Sequence, residues 1–144
     1  MAEIRTEIEI DAAPERVWEV LTDFEAYPEW NPHITSIVGE ARLDAPLTAR
    51  MKAFGGRGVT MKPRVVRFDE AKEFRWIGRL LLPRVFDGEH IFELHALDGG
   101  GTRFVQREEF RGVLVWPLLR MGRSESEKGF VAMNEALKAR AEAG

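Results

Sequence analysis

Apolar residues change their spacing three times along this chain. From Glu3 to Ile10 they alternate: Ile4, Thr6, Ile8 and Ile10 share one side, with Arg5, Glu7 and Glu9 on the other. That is the period of a half-buried strand. Asp11 follows as a candidate N-cap, Pro14 suits a first helical turn, and Glu15 lies near the positive helix end. Val17, Trp18 and Leu21 make an apolar stripe on a short helix to about Thr22. Asp23 can cap a second short helix through Tyr27, after which Pro28, Asn31 and Pro32 end regular structure.

The period then returns to two. His33–Glu40, Leu47–Phe54, Val59–Phe68, Glu73–Leu80, Val85–Leu97 and Thr102–Val113 read as six strands. Their separators carry turn chemistry: Asp44-Ala45-Pro46, Gly55-Gly56-Arg57-Gly58, Asp69-Glu70, Pro83 and Asp98-Gly99-Gly100-Gly101. Connections this short imply antiparallel neighbours. On the last hairpin the turn pairs Phe92 with Gln106, Leu94 with Phe104, and His90 with Glu108. Side chains two apart share a face, so His90, Phe92 and Leu94 point the same way as Phe104, Gln106, Glu108 and Phe110. That face is mostly apolar and is expected to be concave. Glu89, Glu93, His95, Arg103, Arg107 and Glu109 lie on the other.

From Trp116 to about Glu142 the pattern becomes helical. Pro117 suits the first turn, good helix formers predominate, and Leu119, Phe130, Met133 and Leu137 mark one face. At helical rise the element is about 40 Å long. Its inner face also carries Gly122, Ser126 and Gly129, so it either approaches another backbone closely or leaves a void. The order of strand, two short helices, six strands and long helix predicts an α+β domain. A curved seven-stranded antiparallel sheet is covered by the C-terminal helix.

Composition narrows the class. A chain of 144 residues is read as one domain, 1–144, large enough for a core. The absence of cysteine excludes disulfides, thiolate metal sites and a cysteine nucleophile. No signal-like apolar core or membrane-length apolar run occurs, so a cytoplasmic protein without integral membrane association is expected. Net charge is −3, but Arg50 to Arg84 carries ten Lys or Arg against three Asp or Glu, a local +7 that leaves −10 elsewhere. The interleaving with apolar residues assigns these cations to outward strand positions. No aromatic-rich nucleic-acid motif accompanies them, so no nucleic-acid partner is expected.

The opening run Ile10, Ala12, Ala13, Pro14, Glu15, Val17, Trp18, Leu21, Thr22 and Asp23, followed by Tyr27-Pro28-Glu29-Trp30-Asn31-Pro32, resembles the START-like superfamily (polyketide cyclase/dehydrase, SRPBCC). Gly88-Glu89-His90, with Phe92-Glu93-Leu94, and Gly101-Thr102-Arg103-Phe104 through Gly112 resemble its last two strands. The resemblance spans almost the whole chain. It implies a helix-grip fold, also seen in Bet v 1-like proteins, around a cavity for lipids, sterols, polyketides or hormones. Some members catalyse cyclisation or dehydration.

A small hydrophobic ligand between sheet and helix is therefore the expected partner of a monomer or homodimer, with no cofactor. Trp76, His90, Phe92, Gln106, Glu108 and Phe110 would line the sheet side and Ser126, Gly129, Phe130 and Met133 the helix side. Trp30 would stand at the rim. His90 and Glu108 face one another inside. They read either as a hydrogen-bonded polar pair or as a general base and its orienting carboxylate in a cyclase or dehydratase needing neither metal nor nucleotide. A third reading is a co-chaperone-like interaction module using the basic exterior. His90 and His95 lie on opposite strand faces, His33 would have to come from another element and no cysteine is available, so a zinc site is not expected.

Overall fold

The computed structural model describes residues 2–53, 57–80 and 82–144. Strand β1 (Ala2–Ile10) leads into α1 (Pro14–Thr22), a 3-10 turn (Phe24–Ala26) and α2 (Tyr27–Trp30). Strands β2 (Ile34–Val38), β3 (Thr48–Ala53), β4 (Arg57–Met61), β5 (Arg64–Asp69), β6 (Glu73–Leu80), β7 (Phe86–Ala96) and β8 (Thr102–Arg111) follow. The chain closes with α3 (Val115–Ala143).

The α+β arrangement and the long helix are as expected, but the sheet is not one seven-stranded unit. Among the described residues, eight strands form a five-stranded sheet, β1-β8-β7-β6-β5, and a separate three-stranded sheet, β2-β3-β4. The expected strand Val59–Phe68 breaks at Lys62-Pro63. Proline has no N–H for a ladder and restricts the residue before it, so the chain changes sheets there. The Pro63 carbonyl accepts from the Leu47 amide at 2.8 Å, and the Val65 amide donates to Ala45 at 3.0 Å. The 44–47 segment thus links the two sheets.

Three local expectations also change. Ala13, not Asp11, occupies the N-cap of α1, and no side chain caps it. The Asp11 amide instead donates to the Glu142 carboxylate at 2.7 Å, tying the chain's start to the end of α3. Pro28 does not end regular structure; it sits in the first turn of α2, where its missing N–H costs nothing. The expected turn at Gly55-Gly56 lies outside the described residues, while Gly58 belongs to β4.

The last hairpin has the expected register: His90 opposite Glu108, Phe92 opposite Gln106, Leu94 opposite Phe104. Gly99 and Gly100 supply the positive φ its turn requires. On the outer face Ile91 and Val105 are nonetheless buried. Arg107, bonded to Glu3, Glu93 and Glu109, and Arg75, bonded to Glu73 and Glu89, lay their alkyl stems over that face. The basic middle of the chain is accordingly interlaced with carboxylates, Arg67 with Asp69 and Arg79 with Asp87 among them.

Inside, two apolar clusters form. The larger joins α1, β5, β6, β7 and the C-terminal half of α3 through Trp18, Phe74, Phe92, Met133 and Leu137. The smaller holds Ala2, Ile4, Phe86, Phe110, Val115, Leu119 and Phe130. No helix among the described residues is long and apolar enough to cross a membrane. Leu137 is fully buried in the larger cluster. Leu137→Ala is expected to cost about 2–5 kcal/mol of unfolding free energy, whereas Glu135→Ala on the exposed face should change it by less than about 0.5. Urea unfolding of the two variants measures the difference.

Candidate functional site

A belt of polar side chains crosses the concave face between the two apolar clusters. Strand pairing places Ile4, Glu108, His90, Trp76 and Val65 in one row and Thr6, Gln106, Phe92 and Phe74 in the next. His90 is 1% exposed. Phe92 stacks on its ring at 4.6 Å, with Phe130 at 5.0 Å and Trp76 at 5.3 Å.

The belt is joined by hydrogen bonds. His90 Nε2 meets Gln106 Oε1 at 2.9 Å. Gln106 Nε2 donates to Asn134 Oδ1 at 2.7 Å and to the Phe130 carbonyl at 3.4 Å. Asn134 Nδ2 donates to Thr6 Oγ1 at 2.9 Å, and the Thr6 hydroxyl donates to the Gln106 carbonyl at 3.0 Å. The Thr6 end of the belt and its Gln106 link therefore rest on main-chain oxygens, and the His90 end does not. His90 Nδ1 is buried without a partner; Glu108 Oε1 stands 3.7 Å away, beyond hydrogen-bond distance.

Glycine makes room for the carboxyl. A Cβ at Gly88 would overlap Glu108 Oε2, and Gly78 lies opposite Gly88 in the register. Burial pushes the Glu108 pKa up to about 8, although one edge of the side chain remains open at 21%. Burial lowers His90 to about 3 against the opposing bond to Gln106, with His33 adding to the depression. Both shifts favour the uncharged forms, a neutral imidazole beside a protonated carboxyl.

A second buried imidazole lies across Phe130. His33 is 3% exposed, its ring 5.4 Å from that of Phe130, and its Nδ1 also has no partner. Burial and the charge of Lys52 lower its pKa to about 4. Asn31 Oδ1 accepts from the His33 and Ile34 amides and fixes this corner. A Cβ on Gly129 would overlap His33 Nδ1. The small residue on α3 therefore accommodates a side chain of this protein. A hollow of about 250 Å³ opens beside it, lined by Pro32, His33, Lys52, Glu125, Lys128, Gly129 and Ala132. A larger groove of about 880 Å³ runs along α3 from Trp116 to Glu135.

Of the expected lining residues, Trp76, His90, Phe92, Gln106, Glu108 and Phe130 come together. Met133 is buried beneath them in the larger cluster, and Phe110 in the smaller one. Ser126 is half-buried on α3. Trp30 stands apart: it packs on Tyr27 at 5.1 Å and lines a crevice with Arg16, Glu19 and Arg140. The pair's orienting group is also not the expected one, since Gln106 and not Glu108 bonds the His90 ring. Asn134 and His33 had no expected role. A polar Asn134 four residues after Phe130, on the apolar stripe, was the available signal. No group of three or more His, Asp or Glu among the described residues is placed to hold a metal.

Residues 1–142 match the family model described as "Polyketide cyclase / dehydrase and lipid transport". No curated protein matches the sequence. Similar solved structures include the Zhui aromatase/cyclase from Streptomyces sp. R1128, with 17% identity, TM-score 0.74, and coverage of 98% of this chain and 93% of that one. A START superfamily protein from Mycobacterium smegmatis is 22% identical, with TM-score 0.70 and coverage of 98% and 97%. Ara h 8.0201 is 15% identical, with TM-score 0.74 and coverage of 99% of each chain. At these identities the likeness carries the fold alone.

The opposed shifts give stability a pH signature. The Glu108 pKa is raised above its ordinary 4.5, so its contribution is complete below pH 4.5 and is lost as pH rises through about 8. His90 and His33 are depressed below 6.5, so theirs is complete above pH 6.5 and is lost as pH falls through 4 and 3. Glu108→Gln cannot ionise. It should match wild type near pH 4 and exceed it by about 1–3 kcal/mol near pH 9, read from urea midpoints. A difference that does not change with pH would contradict a buried neutral carboxyl.

Proposed function

The chain belongs to the polyketide cyclase/dehydrase and lipid transport family, and from that premise we propose that it binds a small, largely apolar molecule between the concave sheet and α3. Lipid-, sterol- and polyketide-like molecules are the classes considered. The observation that carries this reading is the unpartnered Nδ1 of His90 beside the Glu108 carboxyl. Buried polar atoms almost always have partners, so an open acceptor beside a carboxyl is a point at which water or a ligand group can supply one. Apolar contact with Trp76, Phe92 and Met133 provides affinity, while the two polar groups orient one end of the ligand.

Phe130 is the side chain a ligand must move. Its ring lies between His90 and His33 and is 1% exposed. Native mass spectrometry of the purified protein is expected to show an organic mass that denaturation releases. Titration with an anilinonaphthalene dye should report the space opened when Phe130 moves. Phe130→Ala removes the occluding ring and should tighten dye binding by about tenfold, as expected when a closed state no longer competes. No co-purifying mass, together with no dye uptake by either protein, would end the binding reading.

One observation favours an additional catalytic role. A neutral imidazole and a protonated carboxyl side by side can act as base and acid without exchanging a proton first. His90 Nδ1 would take a proton from carbon beside a ligand carbonyl while Glu108 gives its proton to the carbonyl oxygen, forming an enol for ring closure or dehydration. Turnover of an aromatic poly-β-ketone would then fall above about pH 8, where Glu108 ionises. Glu108→Gln should slow it by about 10²–10⁴-fold. Unchanged turnover in His90→Ala would exclude the chemistry and leave binding as the function.

A further inference from the structure

The direction of every hydrogen bond in the central belt follows from two main-chain oxygens. A carbonyl can only accept, so the Thr6 hydroxyl must spend its proton on the Gln106 carbonyl, 3.0 Å away. Thr6 Oγ1 is then an acceptor toward Asn134, which must present its amide nitrogen at 2.9 Å. The other end of Asn134 is consequently its oxygen, and Gln106 must turn its own nitrogen toward it at 2.7 Å. The Phe130 carbonyl demands the same orientation of Gln106 at 3.4 Å. Only Gln106 Oε1 remains for His90, so His90 Nε2 carries the proton.

We infer that Thr6, Asn134 and Gln106 form a one-way positioning relay that locks His90 as its Nε2–H tautomer and leaves Nδ1 as a bare acceptor facing Glu108. These are positioning residues; none of them needs to touch a ligand. The inference rests on the His90 site described above and assigns its chemistry atom by atom. The accepting or proton-taking atom is Nδ1, on the side where Gly88 makes room for the Glu108 carboxyl. Glu108 plays no part in holding the tautomer. The rows of the sheet explain why four elements are needed: Thr6 and Gln106 are register partners on β1 and β8, His90 lies on β7, and Asn134 comes from α3.

The chain contains three histidines, which makes the test direct. Long-range nitrogen–proton NMR of the uniformly 15N-labelled, ligand-free protein at neutral pH reads which nitrogen of each ring is protonated. His90→Gln identifies the His90 signals. The expected result is a proton on Nε2 that exchanges slowly with water, and none on Nδ1. A proton on Nδ1, or averaging between the two nitrogens, would overturn the lock.

Two variants test the relay itself. Thr6→Val is nearly isosteric but lacks the hydroxyl, and should accelerate Nε2–H exchange by about tenfold, as for the loss of one buried hydrogen bond. Thr6→Ser, which restores the hydroxyl, should return the wild-type rate. Equal exchange in wild type and Thr6→Val would overturn the relay even if the tautomer were as stated. No ligand enters these measurements, so failure of ligand binding leaves the relay standing, and failure of the relay leaves the binding reading intact.

Discussion

The centre of this fold depends on satisfying buried polar groups where a sheet meets its covering helix. Four elements contribute to one hydrogen-bonded belt: Thr6 from β1, His90 from β7, Gln106 from β8 and Asn134 from α3. A network of this kind rigidifies its surroundings when every member is satisfied and is costly where one end is open. Here each bond is made up to a single atom, His90 Nδ1. The rigidity and the open end belong to the same construction. The belt holds the imidazole in place, and the imidazole is left with a lone pair to offer.

The neighbouring carboxyl could have completed the belt as an ion pair, and the geometry argues against that. Taking two charges out of water costs several kcal/mol per ion, recovered only with good contact and further hydrogen bonds. The 3.7 Å separation provides no hydrogen bond between them, and among the described residues no donor to the Glu108 carboxylate compensates its burial. Both groups are therefore displaced toward their uncharged forms by the same desolvation. An acid and a base kept apart in this way retain their separate capacities, which an ion pair would have spent on each other.

Much of this was readable in the chain because strand geometry is periodic. Once Gly99 and Gly100 set the hairpin turn, alternation alone brings His90 opposite Glu108 and turns Gln106 to the same face. The long helix is legible for the same reason. What resisted reading depends on contacts between elements distant in sequence. Pro63 divides one apparent strand, but the transfer of the chain to a second sheet is fixed by amide partners at Ala45 and Leu47. Asn134 looks like an interruption of an apolar stripe until Thr6 and Gln106 stand opposite it. Trp30 follows α2 toward Tyr27 and away from the belt, a path that its proline-rich surroundings did not disclose.

The small residues on α3 close the argument about space. A small residue in a covering helix suggests room for a ligand, yet the room at Gly129 belongs to the His33 ring. Space over His90 must then come from a side chain that can move, and Phe130 is the one between the two imidazoles. Phe130 also packs in the smaller apolar cluster, so displacing it exposes surface worth roughly 1.5–3 kcal/mol. On the proposed binding mode a ligand must bury more apolar surface than a benzyl group to bind with net gain. Molecules smaller than one aromatic ring cannot meet that cost by contact alone, whereas a fused-ring or long-chain molecule can. On that binding mode the same ring that completes the core also sets a lower size limit on the ligand.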